Sequence, residues 1–333
     1  MHGNRTTAWR RQALVACLAT APLLAEHGEA GKDKEAVLSV MKGRPSLRVG
    51  DWLKVDFRTK IQADFRGFRP EIKTAEGWFD PRRLRLGIQG RATSDLEFQI
   101  EFDLLPRHHQ LRDAFVNYRR FPRYQLQAGK FKIPFGLDQL TEPTDLDFVY
   151  RSRIGEMLAP GRDTGIMVHG VLFEQELRYS AGLFRHDGEN AEIILSGART
   201  LAARLTGSPA AFLPAPAFFK GLELGAAFTH TLVPEGLTSL RGRSVAGETF
   251  FPRMYVRGTR WRQGLELNWQ LGSLSLKGEY MGTREERLRQ SLLRTDLPPL
   301  RTGGWYVSAT HPLFGQRKDR TSGSFLRSLI RTN

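Results

Sequence analysis

Cysteine is almost absent: the chain has one in 333 residues, at position 17. This leaves no disulfide framework and no thiolate metal cage. Long apolar runs are also missing beyond the amino terminus, where no stretch approaches the ~20 residues of a membrane-spanning helix. Any membrane crossing must therefore use barrel strands. Negative charge is scarce, with 35 Asp and Glu against 50 Lys and Arg and a formal net charge of +15. Such an excess implies an anionic partner, whether nucleic acid, lipid headgroups or small anions. The glycines lack a phosphate-loop pattern. His108 and His109 have no companion ligands for a metal, and the paired carboxylates have no companion base. No enzyme signature is found, and no cofactor is expected.

What is present begins with Arg5, Arg10 and Arg11, followed by the apolar segment ALVACLATAPLLA (13–25) and small residues around 28–30. That order matches a secretory signal peptide over 1–30, cleaved after Ala30. Cys17 lies inside it, so the mature chain would have none. Leu14-Val15-Ala16-Cys17 superficially suits lipoprotein processing, but too few apolar residues separate Arg11 from that cleavage point. Cleavage removes three arginines and two glutamates, so the charge falls only from +15 to +14. Export makes nucleic acid the least fitting of the three partners, and none is expected.

From residue 47 the chain alternates. In LRVGDWLKVDFRTKIQADFR (47–66) the odd positions are mainly apolar and the even ones mainly polar, the period of a β-strand. In RRLRLGIQGRA, Leu84, Leu86 and Ile88 oppose Arg83, Arg85, Gln89 and Arg91; in DLEFQIEFDL, Leu96, Phe98, Ile100 and Phe102 oppose Glu97, Gln99, Glu101 and Asp103. The tight 93–95 connection makes these two a hairpin whose arginine-rich and carboxylate-rich faces pair across strands. Further strands are expected near 112–120, 124–132, 164–173, 177–184, 199–206, 221–232, 255–271 (as a single strand), 273–283 and 305–313.

Connections then alternate in length. Short ones fall at 93–95, 121–123, 174–176 and 271–273; long ones fall at 67–81, 133–163, 185–198, 233–254 and 284–304. The 105–111 connection is intermediate, and 207–220 is too long and Pro/Ala-rich for a tight turn. Short turns at one end and long loops at the other describe an outer-membrane barrel. A soluble β-sandwich, or a soluble anion-binding β-protein, would use shorter strands and a core for its apolar faces. The expected fold is thus an all-β transmembrane antiparallel β-barrel of about 12 visible strands. Its parts are a signal peptide (1–30), a linker (31–46), the barrel (47–313) and a disordered or off-pattern tail (314–333).

Residues 129–152, GKFKIPFGLDQLTEPTDLDFVYRS, resemble the phosphate-selective porin O and P family, as do RRLRLGIQG, LRDAFVNYR, RDTGIMVHG, AGLFRHDGEN, GETFFPR and LSLKGEYM. The resemblance implies an outer-membrane barrel of a Gram-negative-type bacterium, commonly of 16 strands and homotrimeric, that passes small anions and favours phosphate. The segment falls in the third long loop, and in general porins that loop narrows the channel. Its length suits a functional loop, with Pro134, Gly136 and Pro143 fixing its path.

Anion passage needs positive side chains facing the lumen. Strand parity nominates Lys54, Arg58, Lys60, Arg83, Arg85, Arg91, Arg119, Arg204, Arg260, Arg262 and Lys277; the third loop adds Arg151, Arg153 and Arg162. Any of these can instead hold the wall together against Glu97, Glu101 and Asp103. Lys130 and Lys132 share the lipid-facing parity; they either snorkel at the membrane rim or are turned inward by a bulge at Gly129.

The carboxyl terminus departs from the family. After residue 309 the chain runs HPLFGQRKDRTSGSFLRSLIRTN, with no further alternating strands and no terminal aromatic. The expectation is a truncated or frameshifted member with an open barrel edge; the alternatives are a smaller closed barrel of about 12 strands and a strand count wrong by one hairpin. Two functions stay open, an anion channel and a non-conducting structural barrel protein.

Overall fold

The computed structural model describes residues 36–41, 44–65, 79–105, 110–174, 176–190, 197–212, 214, 216–237 and 254–311. The expected signal peptide and tail, and parts of several long loops, lie outside these residues. Fourteen strands form one antiparallel sheet in sequential order: β1 (Ala36–Met41), β2 (Arg44–Val49), β3 (Leu53–Phe65), β4 (Phe79–Ala92), β5 (Leu96–Asp103), β6 (Leu111–Phe121), β7 (Tyr124–Lys132), β8 (Arg162–Leu172), β9 (Leu177–Phe184), β10 (Arg199–Gly207), β11 (Leu222–Leu237), β12 (Tyr255–Leu271), β13 (Leu274–Arg287) and β14 (Leu297–Thr310). Among the described residues β1 pairs only with β2 and β14 only with β13, so the sheet is open.

The count exceeds the expected 12 for a physical reason. The stretch 47–66 is not one strand: it reverses at residues 50–52, where Gly50 takes φ 53°. Leu47 pairs with Val55 and Val49 with Leu53. A three-residue turn brings odd positions opposite odd ones, so the alternation runs through the reversal without a break. The segment expected as a linker, 31–46, accordingly contains β1 and the start of β2. The expected 284–304 loop shrinks to 288–296, because β13 continues through Thr283-Arg284-Glu285-Glu286-Arg287 and β14 begins at Leu297. Pro298 and Pro299 are tolerated there because β14 is an edge strand in the described sheet. β12 is the single strand expected, 17 residues long.

The burial pattern is that of a soluble protein turned inside out. On β5, Glu97, Gln99, Glu101 and Asp103 are buried, while Leu96, Ile100 and Phe102 are exposed. β3, β6, β7 and β10 repeat the alternation. Water outside would leave these apolar rows unburied, whereas lipid accepts them. Short connections at 50–52, 93–95, 122–123, 173–176 and 272–273 gather at one end, with 208–221 closed by two 3-10 turns, Pro209–Ala211 and Ala217–Gly221. Exposed Tyr118, Phe121, Tyr124, Phe173, Phe212 and Phe218 mark that end with an aromatic girdle.

Ile100 sits midway along β5 with its side chain outward. Ile100→Arg should destabilise the membrane-inserted chain by about 2–4 kcal/mol, and Ile100→Val by less than about 1.5 kcal/mol. Urea titration in vesicles, followed by tryptophan fluorescence, measures both. Equal costs would show that this face does not meet lipid.

Candidate functional site

The loop between β7 and β8, residues 133–161, is largely buried. It holds two short helices, α1 (Leu137–Leu140) and α2 (Arg153–Met157), with a 3-10 turn at Pro143–Asp145. Gly136 takes φ 83° beside Met281, a conformation that a side chain would strain. Phe135, Leu158 and Ala159 pack against Ala227 on β11 and Met281 on β13. The backbone N–H groups of Leu137 and Asp138 donate to the Glu279 carboxylate, the second at 3.0 Å. Ile154 lies against Gly304 on β14.

The same loop also reaches the opposite wall. Glu142 accepts from Lys60 at 2.7 Å and lies 3.6 Å from Arg58, both on β3. Glu156 pairs with Arg82 on β4 at 3.3 Å, and Asp147 with Lys277 on β13 at 2.8 Å. A segment tied to β3 and β4 on one side and to β11, β13 and β14 on the other crosses the space that the sheet encloses. Burial alone would raise the Glu142 pKa. The charges of Lys132, Lys60 and Arg58 outweigh it and hold the carboxyl well below the usual range.

Most of the nominated cations meet carboxylates. Lys54 pairs with Asp56 at 3.6 Å, Lys60 also with Glu101 at 2.9 Å, and Arg85 with Asp103 at 3.0 Å. Arg91 and Arg119 share Glu97. Arg153 pairs with Glu156 within α2 at 2.8 Å. Arg162 grips Asp113 with two bonds of 2.9 and 3.1 Å. Arg204 does the same to Glu266, with bonds of 2.9 and 2.5 Å. Arg260 and Arg262 converge on Asp187, in the loop after β9, and Arg260 also reaches Glu285 at 2.8 Å. Burial pushes the Asp187 pKa up, but these two guanidiniums push it down further, well below the carboxylate range.

Two nominees differ. Arg83 donates to the Gln62 side chain and pairs with no carboxylate among the described residues. Arg151 donates to the carbonyls of Asp138 and Thr141, the latter at 2.7 Å; desolvation lowers its pKa to about 10. Both line a cavity of about 280 Å³ between the loop and the wall, together with Arg82, Arg85, Arg112, Lys132, Arg162, Asp103, Glu156 and Glu189. Seven cations here face three carboxylates.

Parity reasoning missed Arg82 and Arg112. Each is the extra residue at a bulge: pairing steps from Gln62↔Arg83 to Ala63↔Pro81 on β4, and from Glu101↔Asp113 to Phe102↔Leu111 on β6. A bulge leaves one residue unpaired and re-aims side chains. Arg82 stacks 3.9 Å from the Tyr150 ring centroid, and Arg112 grips Glu189 at 2.8 and 3.1 Å. Pro81 was the only local hint of either bulge. Of the two alternatives for Lys130 and Lys132, the bulge at Gly129 is absent: pairing runs through it without a shift, though Gly129 takes φ 128°. Lys130 keeps the outward register of Leu126 and Ala128. Lys132, at the strand end, turns inward and donates to the carbonyls of Leu140 and Thr141 at 3.0 and 3.3 Å.

A family model described as phosphate-selective porin O and P matches residues 53–325. No curated protein matches significantly. Among solved structures, a loop-deletion mutant of OmpT, an outer membrane protein of Vibrio cholerae, is similar at 12% identity and TM-score 0.48, over 80% of this chain and 78% of that one. OccK5 of Pseudomonas aeruginosa is similar at 10% identity and TM-score 0.32, over 81% and 73%.

Because the Glu142 pKa is depressed in the folded chain, its latch is complete above the ordinary carboxylate range and is lost as pH falls through the depressed value. Hydrogen exchange of 133–161 should therefore be nearly equally slow at pH 5 and 7 once intrinsic rates are corrected, and should accelerate progressively as pH falls below the ordinary Glu value of about 4.3. Glu142→Gln should already accelerate it at pH 7. A loop that loosens between pH 7 and 5 would refute the latch. Asp187→Ala leaves the buried Arg262 uncompensated and Arg260 with Glu285 alone, and should cost about 3–5 kcal/mol in a urea unfolding titration; a loss below about 1 kcal/mol would mean that the pairing does not hold this wall.

Proposed function

The chain belongs to the phosphate-selective porin O and P family, and on that premise we propose that it passes small anions, phosphate foremost, across the outer membrane. The observation that carries the anion reading is the cation excess in the cavity under the loop, with Arg83 and Arg151 bound only to neutral oxygens. An arriving phosphate finds donors there that are bonded to no carboxylate among the described residues. Arginine's planar fork offers two parallel bonds that replace part of the ion's water.

Around this point the paired arginines of the wall serve differently. Lys54, Arg58, Lys60, Arg91 and Arg119 toward β3–β6, and Arg204, Arg260, Arg262 and Lys277 toward β10–β13, share their charge with neighbouring acids. They bind an anion weakly enough to release it, which conduction requires. A cleaved signal peptide at 1–30 and a homotrimer belong to the same proposal: the first rests on the order of basic, apolar and small residues, the second on what family membership implies. No catalytic step is part of this reading.

The open sheet favours a second reading, a barrel protein without selective conductance, since unpaired edges cannot face hydrocarbon. Single-channel recording in planar bilayers, in chloride with phosphate titrated in, decides between them. Anion-selective openings that phosphate blocks are expected. Arg83→Gln and Arg151→Gln should each raise the half-blocking phosphate concentration about tenfold, while Arg91→Gln, whose charge is already matched, should change it little. Silence from verified membrane-inserted protein would overturn the channel reading, and unchanged block in both variants would overturn the cavity's role.

A further inference from the structure

On the outward side of β8–β10 the wall is hollowed into a groove of about 930 Å³. Strand register orders it in rows. Nearest the long loops, Thr164, Arg185 and Arg199 lie side by side, since Thr164 accepts the Arg185 N–H and Thr200 pairs with Phe184. The next row is Ile166, Leu183 and Leu201, and the third is Val168, Ala181 and Ala203. Successive rows are two residues, about 7 Å, apart along the strands. Ile166, Leu183 and Leu201 are 58%, 65% and 47% exposed. Ala181 deepens the groove by being small.

Arg185 and Arg199 are exposed and form no ion pair among the described residues. Lys130 extends their row onto β7 through its pairing with Thr164. The outward neighbours on β11, Leu232 and His230, supply no carboxylate. Among the described residues, this guanidinium pair at the end of an apolar trough on the outward wall has no carboxylate partner. The arrangement recurs on β11–β14, where Arg284 and Arg301 border a second hollow of about 580 Å³ lined by Phe228, Trp261 and Tyr280.

We propose that the β8–β10 groove binds a phosphate-bearing lipid of the outer leaflet, its phosphate held by Arg185 and Arg199 and an acyl chain lying over Ile166, Leu183 and Ala181. The long loops point outward in this class of barrel, which puts the arginine row at headgroup level. Charge selects this occupant over a second copy of the chain: two forks on adjacent strands suit phosphate, and the surrounding rows hold no acid that could pair with a symmetric copy. The proposal rests on the outer-membrane location and not on what the lumen conducts.

Native mass spectrometry of the full detergent-purified chain, incubated with dioleoyl phosphatidate or dioleoyl phosphatidylcholine, tests it. Phosphatidate should be retained preferentially. Retention should fall about fivefold or more in the double variant Arg185→Gln/Arg199→Gln, through loss of charged hydrogen bonds, and in Ala181→Phe, which fills the trough and leaves the charge unchanged. If Ala181→Phe fails to give the compact band of a folded barrel on unboiled gels, the exposed arginine variant decides alone. Equal retention of both lipids by the parent chain, or unchanged phosphatidate retention in the arginine variant, would overturn the proposal. So would an oligomer that Ala181→Phe converts to monomer, because the groove would then belong to a second copy. Conductance of the arginine variant, expected to be unchanged, keeps this result separate from the fate of the channel reading.

Discussion

Charges that face inward from a membrane wall must be matched inside the protein, and most of this architecture follows from that need. An isolated guanidinium on a wall beside low-dielectric lipid is costly, and removing one partner of a buried pair costs more than the pair itself returns. The wall meets the requirement across neighbouring strands, as Arg85 does with Asp103. It also meets it at distance, through loops that carry carboxylates into the lumen. Glu142, Asp147 and Glu156 arrive on the 133–161 loop and Asp187 on the loop after β9. The long loop folds inward because its acids give Lys60 and Arg82 a second carboxylate and meet Lys277, and Phe135 finds the apolar patch of Ala227 and Met281.

This explains which parts could be read from the sequence. Alternation between two faces is a local property of each strand, so the all-β class, the lipid-facing rows and the inward cations from Lys54 to Lys277 were legible. The same property hid the reversal at 50–52, because an odd-numbered turn returns the chain in phase. Bulges were hidden for the opposite reason. One inserted residue shifts the phase, and Arg82 and Arg112, outward by simple parity, became inward. The partners of the loop acids were illegible because Glu142 meets Lys60 across 82 positions of sequence.

The two bulges lie where β4 and β6 approach the long loops, and with the inward turn of Lys132 and Arg162 they crowd one corner of the lumen with cations. Regular strands would have pointed half of these side chains at lipid. Irregularity here concentrates charge at a chosen height, which a perfect ladder of alternating residues cannot do. The cavity under the loop is thus built by departures from the pattern that builds the wall.

Pairing accounts for most inward cations of the described wall, so those bonded to no carboxylate among the described residues can be located. They include Arg83 and Arg151 beneath the loop, and Arg185 and Arg199 on the outer face. These two groups lie on opposite sides of one sheet and face different media, water within and headgroups without. One electrostatic rule, that a cation lacking an internal partner recruits an external anion, predicts a mobile anion on the inner side and a lipid-borne one on the outer. Net charge alone made no such division; the register of β7 to β10 does, because it sets which side of the sheet each cation faces.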